Sequence, residues 1–152
     1  MSAPISELNF VTARRAVRVL RPDSPSQAVS LARQCRASYT AGGTWLQPAY
    51  ERDQCWPENL VALNASWPGF WGLEDGPNGL TVGAMTSLAE MARHPLVRDY
   101  LPPLAKFLNL VAGPGVRALG TVGGNLIVGG DLSALAMALD VRVDVVGHAG
   151  VR

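Results

Sequence analysis

Ala16-Val17-Arg18-Val19-Leu20 alternates loosely between apolar and polar positions, which is the period of a strand. In "PDSPSQAVSLARQC", Ala28, Leu31, Ala32 and Cys35 then recur at helical spacing and predict a helix with one face on a core. Ser24 suits its N-cap, Pro25 its first position, and Gln27 completes a capping box. Ser38 to Ala41 reads as a second strand. A glycine pair, Gly42-Gly43, and a further helix follow, and Leu60-Val61-Ala62-Leu63 reads as a third strand.

Beyond this point the pattern loosens. "NASWPGFWGLEDGPNG" is a Trp-, Pro- and Gly-rich loop leading into a hairpin with its turn at Asp75-Gly76-Pro77-Asn78-Gly79 and a return strand at Leu80 to Gly83. "MTSLAEMARHP" predicts a short helix capped by Thr86 or Ser87 and ended by Pro95. "LPPLAKFLNLV" is a second helix opened by prolines, and "DLSALAMALD" a third with Asp131 as N-cap. Val141 to Val146 alternates and closes the chain as a strand, expected to be an exposed edge. No repeat of solenoid type occurs, and a weak boundary lies near Asn64 to Gly72. The fold class expected is α+β, in two pieces of about 1–64 and 65–152, without the regular βαβ alternation of one doubly wound sheet.

Composition narrows the function classes. The 152 residues are 48% apolar and 16% charged, a globular balance. The net charge is +1 with no basic stripe, so a nucleic-acid role has no electrostatic support. Two cysteines, Cys35 and Cys55, are too few for a secreted disulfide scaffold or for the four ligands of an iron–sulfur cluster. They favour a cytoplasmic protein. His94 and His148 lie far apart, and no metal site is expected. "MSAPISELNF" has no signal-peptide pattern, and the longest wholly apolar run, Ala134 to Leu139, is too short to span a bilayer. No membrane partner is expected.

Two glycine pairs remain, Gly42-Gly43 in "YTAGGTWL" and Gly123-Gly124 in "LGTVGGNL". Each reads simply as a turn, since glycine takes positive φ freely. Each also reads as a phosphate cradle, in which adjacent amides converge on an anion beside a helix N-terminus. Thr44 follows the first pair, and Thr121 and Asn125 bracket the second. Neither is GxGxxG or GxxxxGK[ST], so a Rossmann fold or a P-loop is not indicated.

The order of several segments resembles one family. "RPDSPSQAVSLARQ", "AGGTWL", "PENLVALN", "GLTVGAMTSLAEMARHPLV", "VRALGTVGGNL" and "DLSALAMALDV" are similar, over about 130 residues, to the FAD-binding (PCMH-type) domain of molybdenum hydroxylases. These are the flavin subunits of xanthine dehydrogenase, carbon monoxide dehydrogenase and related enzymes. The resemblance implies a two-subdomain fold, here with a small αβ piece and a larger, incomplete mixed-sheet piece, the family's C-terminal domain being absent. It implies that the two glycine loops close on one FAD pyrophosphate. Tyr39, Thr40, Ala41, Gly42, Gly43, Thr44, Trp45 and Leu46 correspond to the first loop; Thr121, Val122, Gly123, Gly124 and Asn125 correspond to the second. Val111 falls where some members place an aromatic ring near the nucleotide. Asp131 is either the family's cofactor-contacting aspartate or a plain N-cap. Trp45 stands where a small or acidic residue is usual, either covering the nucleotide or packing in the core.

The function so implied is an oxidoreductase component. Substrate is hydroxylated on a molybdopterin-bearing large subunit, and electrons pass through 2Fe–2S clusters on a small subunit to FAD and then to NAD or another acceptor. No acid/base dyad or nucleophile is expected in this chain. A truncated, flavin-free interaction module is the alternative of a different class, and a generic nucleotide-binding module a third reading.

Overall fold

The computed structural model describes residues 16–53, 56–77, 79–147 and 150–151. Cys55, Asn78, His148 and the "MSAPISELNF" segment lie outside the described residues.

The first piece is a parallel sheet. Strands β1 (Arg18–Leu20), β2 (Ser38–Thr40) and β3 (Asn59–Ala62) form it in the order β1-β3-β2, and helices α1 (Pro25–Gln34) and α2 (Leu46–Asp53) make the crossovers. These five elements alternate regularly as βαβαβ, so the irregularity expected of the whole chain belongs to its second half. Parallel strands need such crossovers, and the helices cover the sheet. Val61, on the central strand, is fully buried with Ala28 and Trp67, against which Leu20, Leu31, Leu63 and Phe70 pack. Ser24 caps α1 as the pattern predicts, its hydroxyl accepting from the Gln27 amide at 3.2 Å. The Gln27 side chain reaches Asp23 N–H, one residue earlier than a capping box requires.

The second piece is mainly helical. Strands β4 (Leu73–Gly76) and β5 (Gly79–Val82) form an antiparallel hairpin. Gly76 pairs with Gly79, so Asp75, Gly76 and Gly79 belong to the ladder and the turn is shorter than expected. Helix α3 (Leu88–Arg93) carries the full capping box of Ser87 and Glu90. Pro95 ends it but also takes the first position of α4 (Pro95–Tyr100), where a missing N–H costs nothing. Helix α5 (Pro102–Leu110) is as expected. Helices α4, α6 (Pro114–Leu119) and α7 (Val122–Ile127) are absent from the sequence reading; α8 (Asp131–Ala138) is in it. Leu88, Met91, Val97, Leu104, Leu108, Val122 and Leu132 build the core here.

Three expectations fail in this half. Asp131 is not an N-cap: Gly130 holds that position, and the Asn125 carboxamide oxygen accepts from Leu132 N–H at 2.9 Å instead. Val141 to Val145 form no strand, since no neighbouring strand among the described residues supplies the ladder bonds. Val141, Val143 and Val145 are all about half exposed, at 49%, 53% and 58%. Only β6 (Val146–Gly147) and β7 (Gly150–Val151) pair, as a short antiparallel hairpin. No mixed sheet occurs among the described residues of this half; its strands form separate antiparallel pairs. The α+β class stands.

Candidate functional site

Strand β2 ends at Thr40, whose carbonyl accepts from Leu63 N–H at 2.9 Å and ties the chain to β3. The next residues, Ala41 to Trp45, turn into α2. Gly43 has φ +70, the left-handed region, with open space where a Cβ would stand. Its carbonyl accepts from Gln47 N–H at 3.0 Å and that of Trp45 from Ala49 N–H at 3.2 Å. The amides of Gly42, Gly43, Thr44 and Trp45 find no acceptor among the described residues, and neither does the Thr44 hydroxyl. Four donors at the positive end of an eight-residue helix are a place for an anion.

The second loop uses its amides differently. Val122 N–H donates to Thr86 O at 2.9 Å and Gly123 N–H to Ala84 O at 2.8 Å. Gly124 N–H donates to the Thr121 hydroxyl oxygen at 3.1 Å, the N-cap bond of α7. Gly123 packs against Ala84 so tightly that a Cβ would come within 2.8 Å of the alanine Cβ. Asn125 is committed to the start of α8 and lies directly under Gly130. What this loop can still donate is the buried Thr121 hydroxyl proton and the Asn125 amide hydrogens.

The two loops meet. A Cβ on Gly42 would collide with the carbonyl of Leu119, the last residue of α6, and one on Gly120 would come 3.4 Å from the Thr44 hydroxyl. An open cleft of about 220 Å³ lies along this junction. Gly43, Thr44, Gln47 and Glu51 line one wall, and Gly115, Val116 and Leu119 the other. Trp45 is 55% exposed and belongs to neither core cluster, which removes the core-packing reading of it. Tyr39 is half-exposed at the end of β2, and Thr40, Ala41 and Leu46 are partly buried around it. Val111 and Val122 are buried in the helical core and do not line the cleft. Asp131 is exposed on the first turn of α8. Sequence reasoning missed the α6 wall, although Pro114 at a first-turn position was a signal for a helix there.

A larger cleft of about 380 Å³ lies by Trp71, Thr86, Glu90, Arg93 and His94. Its Thr86, Glu90 and Trp71 polar atoms are already engaged with one another and with Gly72 and Ser87. Thr86 binds both N–H and carbonyl of Gly72, and Glu90 accepts from Ser87 N–H, Ser87 Oγ and Trp71 Nε1. Burial works upward on the Glu90 pKa, but these hydrogen bonds and the nearby Arg93 charge outweigh it and hold the carboxyl below its usual range. We take the smaller cleft as the candidate site, since Gly43 and Thr44, whose amides have no acceptor among the described residues, line it at the start of α2.

Comparison with known proteins decides the family. The family model described as the FAD binding domain in molybdopterin dehydrogenase matches residues 15–152. The chain belongs to this family. The resemblance to the FAD-binding domain of molybdenum hydroxylases, drawn from the order of the segments, is thereby borne out. The carbon monoxide dehydrogenase medium chain of Hydrogenophaga pseudoflava is 33% identical over 136 residues, covering 86% of this chain and 47% of that one. The putative xanthine dehydrogenase FAD-binding subunit of Escherichia coli K12 is 28% identical, over 80% and 43%. The solved carbon monoxide dehydrogenase from Hydrogenophaga pseudoflava, in a form lacking the Mo-pyranopterin moiety, superposes with TM-score 0.83 at 32% identity, over 90% of this chain and 49% of that one. This FAD-binding domain thus spans about half the length of the relatives it matches.

Proposed function

We propose that the chain holds FAD in the flavin subunit of a molybdenum-containing hydroxylase or dehydrogenase. The observation that carries this is the junction of the first glycine loop with the end of α6, which leads into the second. Gly43 and Thr44, whose amides have no acceptor among the described residues, line the cleft; Leu119 forms its other wall, and Gly120, just before the second loop, lies beside the Thr44 hydroxyl. A pyrophosphate suits this donor set: it is doubly charged, needs several N–H donors at close range, and gains from the α2 dipole. Thr121 and Asn125 contribute side-chain donors from the second loop. Trp45, exposed beside the cleft, offers an apolar face to a planar ring. We divide the chain at about residue 64, with the sheet carrying the first loop and the helical half the second.

When bound, FAD supplies the redox chemistry, taking up electrons on one side and releasing them to an acceptor on the other. The residues of this chain bind and orient; none is assigned a proton-transfer role. We assign the molybdopterin centre to a large partner subunit and the 2Fe–2S clusters to a small one, with NAD or another acceptor as outlet, in a cytoplasmic complex. No helix among the described residues is long and apolar enough to cross a membrane.

The test is flavin retention. The purified chain, incubated with FAD and desalted, should keep flavin absorbance, and Gly43→Val should lose it while far-UV circular dichroism keeps its helical signal. A β-branched residue at φ +70 is strongly disfavoured and would close the space in front of the amides. Equal retention by both proteins would overturn the assignment of the loop, and absence of flavin from both would favour a flavin-free interaction module.

A further inference from the structure

Helix α5 ends in an unusual way. Its C-cap is Val111, and Ala112 beyond it has φ 52, a left-handed conformation normally left to glycine. The carbonyls of Val111 and Ala112 point away from the helix ladder. Both are taken by Arg117, whose Nη1 donates to Val111 O at 2.9 Å and to Ala112 O at 2.6 Å. Arg117 sits on α6, a six-residue helix whose own N-cap, Gly113, has no side chain to bond. So short a helix has little stability of its own. Its C-terminal residue is Leu119, the carbonyl of which fills the space left by Gly42, and α6 also makes a wall of the cleft.

We propose that Arg117 is a positioning residue for the cofactor cleft. By clamping the end of α5 it holds α6 in place, and α6 in turn seats Leu119 against the first glycine loop. This rests on the reading of the cleft as the FAD site, but the clamp itself also has a ligand-free readout. One nitrogen makes both bonds, so the guanidinium fork is not needed; a lysine ammonium can replace it, whereas an uncharged stem cannot.

The experiment compares Arg117→Ala, Arg117→Met and Arg117→Lys with the parent chain. Amide hydrogen exchange is followed without ligand at Gly120, bonded to Val116 O, and at Leu88, bonded to Gly120 O. The affinity for FAD is titrated separately. In Arg117→Ala and Arg117→Met, exchange at both amides should quicken about tenfold and FAD should bind about tenfold more weakly, with Arg117→Lys restoring most of both. Parent-like exchange in Arg117→Met, or an Arg117→Lys variant as fast as Arg117→Met, would overturn the clamp. Should the parent itself bind no FAD, the FAD reading of the cleft fails, and the exchange rates still decide whether Arg117 clamps α6. If Arg117→Ala does not fold, the Met and Lys pair gives the same decision.

Discussion

Thr44 and Thr121 are both threonines beside a glycine pair, yet they are employed differently. The Thr121 oxygen already caps α7 through Gly124 N–H, whereas Thr44 has no partner among the described residues. Removing the Thr44 hydroxyl should therefore leave ligand-free stability unchanged and weaken FAD binding by about 1.5–3 kcal/mol, the worth of a hydrogen bond to a charged group. Thr121→Ala should lower the melting temperature without ligand, because a lost N-cap costs about 1 kcal/mol. Thermal scans with and without FAD separate the two; equal ligand-free loss in both variants would contradict the division. Glu90 is the other residue with a distinct signature. Its folded pKa is held below the ordinary 4.5, so its contribution is fully present above that pH and is lost as pH falls through the lower folded value. The parent should lose melting temperature on acidification below about 4.5, relative to Glu90→Gln, and parallel curves would refute it. The glycine pairs and both threonines were legible from residue type alone. Their unequal roles were not, because those depend on which amides the fold has already paired.

At the scale of elements, the starts at Ser24, Ser87 and Pro102 were legible, whereas Pro95 reads in the sequence as the stop of α3 and not as the start of α4. Ser24, Ser87 and the prolines at positions 25 and 102 announce helix beginnings through their own chemistry. Endings are announced chiefly by glycine in the left-handed conformation, and here Arg36 and Asp140 take that place, with φ 48 and 51. Both make the expected terminal bonds, Ala37 N–H to Ala32 O and Val141 N–H to Ala136 O, each at 2.9 Å. The letter Arg does not signal this, and Asp does so only weakly, although the helix over "DLSALAMALD" is rightly ended near Asp140. Helices α6 and α7 stay hidden because they are six residues each and too short to show a period. A left-handed residue with a Cβ costs about 1 kcal/mol. Arg36→Gly and Asp140→Gly should each raise the melting temperature by roughly 2–4 °C, and together by the sum, since the sites end different helices. Calorimetry checks this; a fall in either variant would mean that the side chain does more than the backbone conformation costs.

At the scale of the whole molecule, two cores built on different principles are joined near the cleft. One lies under a parallel sheet, around Val61; the other is a cluster of short helices around Leu88 and Leu108. The sequence resemblance implied that two glycine loops converge, but no local pattern says how closely. On the side where a Cβ would stand, Gly42 abuts the backbone of α6 at Leu119. Gly42 is thus also a contact between the halves, while its neighbour Gly43 keeps the open side. This difference can be measured. Gly42→Ala must push the Leu119 carbonyl away, an overpacking of backbone against backbone that costs about 1–3 kcal/mol. The variant should melt lower without any ligand and exchange faster at Gly120 N–H, because the α6 end to which that amide belongs is displaced. Its FAD affinity should fall with it, since the first loop and the α6 wall of the cleft are moved apart. Thr44→Ala, by contrast, loses affinity alone. A Gly42→Ala chain that melts and binds as the parent does would mean that the two loops are held together by something other than this contact.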